Sequence, residues 1–350
     1  MLYKFEFRTY QRKFKRPLQT SHGIWDIREG IILRVVGENG RIGWGEIAPL
    51  SWFGSETFEQ ALDFCHQLPA NISSERILAI SAELPACQFG FESALSNSRA
   101  PLTPLNKGGT RNILKVPRIE AGNEEEKNRF SGLLPAGETA LQVVPMLWLE
   151  GYRRFKWKIG VAAIEQELKI FQQLIASMHD LGDRKSALLR LDANGGLTYS
   201  QAQKWLEACD KVKATPDLAA DIEFLEQPLP IAQFQEMVEL NAIYATDLAL
   251  DESAANLDRI QECYSQGWRG IFVIKPAICG SPSQLRNFCQ THNIDAVFSS
   301  VFETQIGRQA ALNLATELSI NNRALGFGTD SWFDDNQDTW LKHLWQKKSQ

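Results

Sequence analysis

The sequence has no strong excess of either charge, no apolar run of membrane-spanning length and no cysteines paired for metal binding. Across 350 residues, 37 Lys and Arg stand against 42 Asp and Glu, a net charge of −5 with histidine neutral. A dedicated nucleic-acid binder carries a basic excess instead, so no nucleic-acid partner is expected. No stretch approaches the roughly 18 apolar residues of a membrane span. The opening Met1-Leu2-Tyr3-Lys4-Phe5-Glu6 puts charges where a secretory signal needs its apolar stretch. These absences predict a cytoplasmic protein with no membrane partner. The six cysteines (Cys65, Cys87, Cys209, Cys263, Cys279, Cys289) form no C-x-x-C pair and read as buried small hydrophobes in a reducing compartment. The five histidines are scattered without H-E-x-x-H spacing, which excludes the common zinc arrangements. A dinucleotide-type G-x-G-x-x-G at a strand–helix turn is also missing. Gly37, Gly40, Gly43 and Gly45 are followed by no helix, and hairpin chemistry explains them better than phosphate binding.

The first hundred residues read as α+β. Glu6–Tyr10 and Ile31–Val36 alternate as strands, and Asn39-Gly40 signals a two-residue hairpin into Gly43–Ile47. Helices are expected over Thr57–Gln67 and Cys87–Leu95. A polar connector with the run Gly122-Asn123-Glu124-Glu125-Glu126-Lys127 follows. Beyond it come eight short apolar runs: Gly132–Leu134, Phe155–Ile159, Ala187–Asp192, Ile222–Glu226, Leu248–Asp251, Ile271–Lys275, Ala296–Ser300 and Ala324–Phe327. Most are separated by helical patterns such as Ile164, Leu168, Phe171 and Ile175. Strands alternating with helices mean parallel β/α units, and eight of them over about 200 residues favour a closed (β/α)8-type barrel. The division predicted is a capping domain over 1–105, a connector over 106–129, the barrel over 130–328, and a C-terminal segment, 329–350, that packs back on the cap.

The chemistry lies in how these strands end. Lys156 and Lys158, Asp192, Glu226, Asp251, Lys275 and Ser299-Ser300 close successive strands. The separations from Lys158 onward are 34, 34, 25, 24 and 24 residues, each about one β/α unit. They therefore share one rim, and in such barrels the C-terminal rim carries the active site. Taken singly, Asp192-Ala193-Asn194 or Asp251-Glu252-Ser253 could cap the next helix, and Glu226-Gln227-Pro228 could be a turn. Taken together, three carboxylates in a recess repel by several kcal/mol unless a cation joins them. Oxygen-only ligands point to a hard ion, Mg²⁺ or Mn²⁺. Lys158 and Lys275 flank the carboxylates in strand order. A lysine acts as a base near neutrality only if its pKa falls from about 10.4 to near 7–8, a cost of roughly 3–5 kcal/mol that a second ammonium and a dication help to meet. A metal that stabilises an enediolate, a base and a second cation together describe proton abstraction alpha to the carboxylate of a small-molecule substrate.

Lys-x-Lys, Asp-x-Asn, Glu-Gln-Pro, Asp-Glu-Ser and a later Lys, one per strand, resemble the enolase superfamily in its muconate-lactonizing-type branch. So do Gly43-Trp44-Gly45-Glu46-Ile47-Ala48-Pro49-Leu50, Gly132-Leu133-Leu134-Pro135-Ala136-Gly137, Arg190-Leu191-Asp192-Ala193-Asn194 and Phe298-Ser299-Ser300-Val301-Phe302-Glu303-Thr304. The resemblance covers nearly the whole chain. It implies a modified (β/α)7β barrel with an N-terminal α+β capping domain. The activity it implies is syn-dehydration of 2-succinyl-6-hydroxy-2,4-cyclohexadiene-1-carboxylate to 2-succinylbenzoate, on the route to menaquinone or phylloquinone. Lys158 would remove the alpha proton and deliver it to the departing hydroxyl. Lys275 would stay cationic on the opposite face, and Asp192, Glu226 and Asp251 would hold Mg²⁺. Arg190, Asn194, Ser299 and Ser300 would orient the substrate or the ligands, and Lys156 would support Lys158. A loop around Phe14–His22 would close over the site. The connector Thr103–Lys127 is longer than that pattern has.

The same scaffold also suits a racemase or epimerase of N-acylated amino acids or dipeptides, including N-succinylamino acids, with both lysines alternating as acid and base. Gly328-Thr329-Asp330-Ser331-Trp332 lacks the Asp-x-Asp of dipeptide epimerases, which favours the dehydratase. Acid-sugar dehydratases need a His–Asp pair on later strands, and His292 precedes its strand. A catalytically silent barrel that binds a metal or a partner protein is the reading from a different class.

Overall fold

Tyr3, Phe5, Ile31, Leu33 and Val35 fall at alternate positions and are all buried, the mark of strands with one covered face. The computed structural model describes residues 1–20, 23–99, 127–182, 186–328, 332–333 and 337–346. In it β1 (Leu2–Thr20), β2 (Gly23–Gly37), β3 (Ile42–Ile47) and β4 (Asn71–Ser73) form an antiparallel sheet in the order β3-β2-β1-β4. The first two strands run well past their expected bounds. The stretch from Phe14, expected to be a loop, is strand as far as Thr20 and pairs with β2, its register shifting between Lys13 and Leu18. Phe14 is buried against Trp25 and Phe333, ring centroids 5.0 Å away, which gives the extended hairpin an apolar face. Ser21 and His22 lie outside the described residues, as do 103–126 of the expected connector and Thr329, Asp330 and Ser331. The β2–β3 turn holds three residues rather than two. The Gly37 N–H donates to the Arg41 carbonyl at 2.9 Å, and Gly40 takes the left-handed φ of +72° that this loop needs.

Two helices of the cap appear near their expected places, Phe58–Gln67 with Thr57 capping it, and Pro85–Arg99. The second lies directly on β3. A Cβ on Gly43 would come within 1.9 Å of the Ala94 carbonyl oxygen, and one on Gly45 within 2.0 Å of that of Gly90. Only glycine permits so close an approach.

Seven parallel strands follow in sequential order: β5 (Gly132–Leu134), β6 (Arg154–Lys158), β7 (Ala187–Asp192), β8 (Ala220–Glu226), β9 (Leu248–Leu250), β10 (Ile271–Ile274) and β11 (Ala296–Phe298). The eighth expected strand shrinks to two bridges, Phe130↔Leu325 and Ser299↔Gly326. They suffice to close the ring, because Leu325 N–H bonds the Arg129 carbonyl and Gly326 N–H that of Phe298, both at 2.8 Å. Outward-facing Phe155 and Trp157 pack under the helices, Trp157 meeting Trp205 of the helix Tyr199–Lys213 at 6.1 Å. Inward-facing Phe224, Ala249, Ile271, Val273 and Val297 make a small separate apolar layer. All six cysteines are buried free thiols. Among the described residues no helix is long and apolar enough to cross a membrane.

Cap and barrel meet through Glu46 at the end of β3. Its carboxylate is fully buried and accepts from Tyr10 Oη at 2.5 Å, from Thr304 N at 2.9 Å and from Gly307 N at 2.9 Å. The last two belong to the start of the barrel helix Gln305–Leu318, where free N–H groups and the positive end of the helix dipole favour an anion. Thus two of the sequence stretches that carry the resemblance bond to each other. The C-terminal helix Gln337–Gln346 lies against β1, Trp340 against Tyr10 at 5.4 Å, while Trp345 meets Trp44 at 4.8 Å. Removing Glu46 strands several buried donors at once, so Glu46→Ala is expected to cost about 3 kcal/mol and Glu46→Gln less. Chemical-denaturation midpoints of the two variants check this.

Candidate active site

A strand points alternate side chains to one face, so a residue two places beyond an inward-facing one also faces inward. Glu226, Asp251, Lys275 and Ser299 each lie two residues beyond a member of the inner apolar layer (Phe224, Ala249, Val273, Val297). The strand register puts Lys158 opposite Asp192, and Asp192 opposite Glu226. The rim read from the sequence therefore exists as a run of neighbouring inward side chains.

Among the described residues no group of three potential ligands is placed to hold a metal ion. Two ammonium groups divide the three carboxylates instead. Lys156 Nζ sits 2.8 Å from both Asp192 Oδ2 and Glu226 Oε1, and Lys275 Nζ bonds Asp251 Oδ1. Asp192, Glu226 and Asp251 are 7%, 1% and 4% exposed, so positive charge must stand among them, and the two lysines provide it. Lys156 is thus a stand-in cation between two of the expected ligands. Burial opposes its charge, but Asp192, Glu226 and Asp251 outweigh that and hold its pKa up. Glu226 is pushed up to about 8 by burial and by the Asp192 charge, against the pull of Lys156. Lys158, half-buried at the end of β6, has no hydrogen-bond or ion-pair partner among the described residues.

The other expected site residues take different places. Arg190 does not reach this cluster. It is buried one inward position below Asp192 and bonds Glu223 through Nε at 2.7 Å, in a network that runs on to Arg323 and Asp295. Its bulk and charge fill the barrel interior. Asn194, with a left-handed φ of 43°, donates its backbone N–H to Asp192 Oδ1 at 3.0 Å and its amide to Glu252 Oε1 at 3.2 Å. Ser299 Oγ lies 3.4 Å from the Gly326 carbonyl, at the seam of the barrel. Ser300 Oγ bonds Glu303 at 2.9 Å and accepts from Phe302 N, shaping the turn before the helix that Glu46 caps.

Four residues near the site escaped sequence reasoning as functional candidates. Glu252 adds a fourth carboxyl, pushed up to about 7 by burial and by Asp251, with Oε2 buried and unbonded among the described residues. Its neighbour Asp251 in the Asp-Glu-Ser run was the available signal. Glu167, buried at 1% exposure, accepts from the N–H groups of Gly160, Val161 and Ala162 at 2.9–3.0 Å and so fixes the loop just past Lys158. An acidic residue in the first turn of the helix Ile164–Leu181 was its only mark. Phe53, in a turn of the cap, lays its ring 3.8 Å from Lys275 Nζ, a contact between domains that no local pattern encodes. Gln227, fully buried one residue past Glu226, is the fourth, marked only by the Glu-Gln-Pro run. Removing the Lys156 ammonium leaves Asp192 and Glu226 facing each other, so Lys156→Met is expected to destabilise the chelator-treated protein by about 3 kcal/mol, and adding Asp192→Asn to recover part of it. Denaturation of the single and double variants measures both.

Residues 139–343 match the family described as enolase C-terminal domain-like, and residues 9–98 match the MenC N-terminal domain. The chain is 34% identical to the o-succinylbenzoate synthase of Thermosynechococcus vestitus over 99% of its own length and 100% of that protein. The crystal structure of o-succinylbenzoate synthase from Thermosynechococcus elongatus BP-1, complexed with Mg in the active site, superposes with a TM-score of 0.80 at 34% identity, covering 98% of this chain and 99% of that one. A hydrophobic dipeptide epimerase from Roseobacter litoralis is 27% identical over 71% of this chain and 69% of its own. By sequence over its full length and by the architecture that carries its rim of lysines and carboxylates, the chain belongs to the o-succinylbenzoate synthase family of the enolase superfamily.

Proposed function

We propose that the chain performs the Mg²⁺-dependent syn-dehydration of 2-succinyl-6-hydroxy-2,4-cyclohexadiene-1-carboxylate to 2-succinylbenzoate, in the cytoplasm, on the route to menaquinone or phylloquinone. The observation that carries this reading is the order of charges around the rim. Lys158 on β6 and Lys275 just past β10 stand on either side of three carboxylates from the strands between them.

Asp192, Glu226 and Asp251 are the groups that would hold Mg²⁺. Their donors are all oxygens, and the Lys156 ammonium already bridges two of them. When bound, Mg²⁺ supplies positive charge to the substrate carboxylate as negative charge builds there. Lys158, whose amine has no partner among the described residues, takes the proton alpha to that carboxylate and then returns it to the departing hydroxyl. A single group doing both on one face is what a syn elimination requires. Lys275 approaches from the far side in strand order and offsets negative charge on the reacting ring. Asp251 and the Phe53 ring hold its ammonium in place. Glu167 keeps the loop after Lys158 from displacing the amine. A racemase of N-succinylamino acids or a dipeptide epimerase would use the same lysine pair, so activity on both substrate classes has to be compared.

Lys158→Ala and Lys275→Ala are each expected to lower dehydration by about 10²–10⁴-fold while circular dichroism stays unchanged. An ultraviolet assay for the aromatic product, run beside an N-succinylamino acid racemization assay, decides between the readings. Faster racemization than dehydration, or full activity in Lys158→Ala, would overturn this one. Asp192→Asn, Glu226→Gln and Asp251→Asn are expected to weaken Mg²⁺ binding.

The metal step also has a pH signature. Burial and the Asp192 charge raise the pKa of Glu226 to about 8 in the metal-free protein, so a cation that binds there is expected to displace a proton. Mg²⁺ affinity is therefore expected to fall as pH drops below about 8, by at most about tenfold per unit for one proton, and to level off above it. Calorimetric titrations in buffers of different ionisation enthalpy read the released proton directly. Affinity independent of pH with no proton release would contradict the assignment.

A further inference from the structure

Gln227, one residue past Glu226, has no exposed surface and a left-handed φ of 36°. That conformation is costly for a residue with a side chain and persists only where surrounding bonds impose it. Here they do. The Gln227 N–H donates to the Ala249 carbonyl at 2.8 Å, and its own carbonyl accepts from Gly195 N–H at 2.7 Å. Its side-chain Oε1 accepts from both Asp251 N and Ser253 N at 3.1 Å. Its Nε2 donates to the Leu229 carbonyl at 3.0 Å and to Ser253 Oγ at 2.8 Å. One residue, following directly on Glu226, thus bonds the loop after Asp192, strand β9 at Ala249, and the turn that begins at Asp251.

Resting on the metal reading above, we propose that Gln227 is the positioning residue that sets the spacing of the three carboxylates for Mg²⁺. Asp251 lies just past the end of β9 at Leu250, outside the strand's own hydrogen-bond ladder, and two buried N–H groups of its turn have Gln227 Oε1 as acceptor. Without that oxygen the turn must rearrange to satisfy them, and the Asp251 carboxylate moves with it. The amide is suited to the position because it offers an acceptor and donors at once, whereas methionine of similar size offers no donor and only a weak acceptor.

The test is calorimetric Mg²⁺ binding to chelator-treated wild type, Gln227→Met and Gln227→Glu, with melting temperatures measured in parallel. Gln227→Met is expected to weaken binding by about 10–100-fold, and Gln227→Glu, which keeps the acceptor, to stay within about threefold of wild type. A purely structural role would lower the melting temperature in both variants without separating their metal affinities, and that result overturns the proposal. If Gln227→Met does not fold, Ser253→Ala, which removes only one bond orienting the amide, decides it: binding weakened by about threefold or more supports the proposal, and unchanged binding overturns it. A wild type that binds no Mg²⁺ overturns the metal reading and this inference with it, whereas equal binding by wild type and Gln227→Met overturns this inference alone.

Discussion

Asp192, Glu226, Asp251 and Glu252 come to one end of one barrel, where little water reaches them. Two unit charges 4 Å apart at an effective dielectric of about 20 interact by about 4 kcal/mol, so four acids here cannot all ionise unless cations stand among them. Lys156 and Lys275 answer that demand in the structure, and the raised pKa values of Glu226 and Glu252 show how narrowly it is met. The same demand makes the rim a place for a dication and gives the proposed chemistry its setting. A site that must be neutralised by positive charge also attracts a carboxylate substrate once that charge is in excess.

The cap is tied into this arrangement at two levels. Glu46 bonds the start of a barrel helix, so the junction rests on a buried anion at a helix N-terminus. Phe53 reaches the Lys275 ammonium, and Phe14 and Trp25 of the long hairpin meet Phe302, which follows β11, at 5.3 and 5.5 Å. The glycines of Gly43-Trp44-Gly45-Glu46 let β3 lie against the helix Pro85–Arg99, in the same short run that supplies the buried anion. A stretch that draws attention in the sequence for its likeness to a family is, in the folded chain, what joins the two domains.

The shared rim was legible because strands alternate. Asp192, Glu226, Asp251 and Lys275 recur at intervals of one β/α unit, and a closed parallel barrel leaves few places for residues so spaced. Arg190 shares the parity of Asp192 but lies two residues earlier on β7, one layer deeper in the barrel, where its partner is Glu223 of the next strand. Lys156, expected beside Lys158 as its electrostatic support, lies opposite Arg190, one inward position below Asp192, and its long side chain reaches up to bridge Asp192 and Glu226. The shortened closure at Leu325 and Gly326 was read as a full strand, since its apolar run has strand composition whether one residue pairs or four.

The sequence by itself determined the class of fold, the end of the barrel at which the charges meet and the kinds of group that meet there, because hydrophobic period and the length of a β/α unit are properties of neighbouring residues. Tertiary structure decided which ammonium lies on which carboxylate, that Gln227 ties three loops together, and that Glu46 and Phe53 bring the cap to the barrel. Those pairings span tens to hundreds of residues, and they are selected by the demand that every buried charge and N–H group find a partner. That demand can be met only when the whole chain is in place.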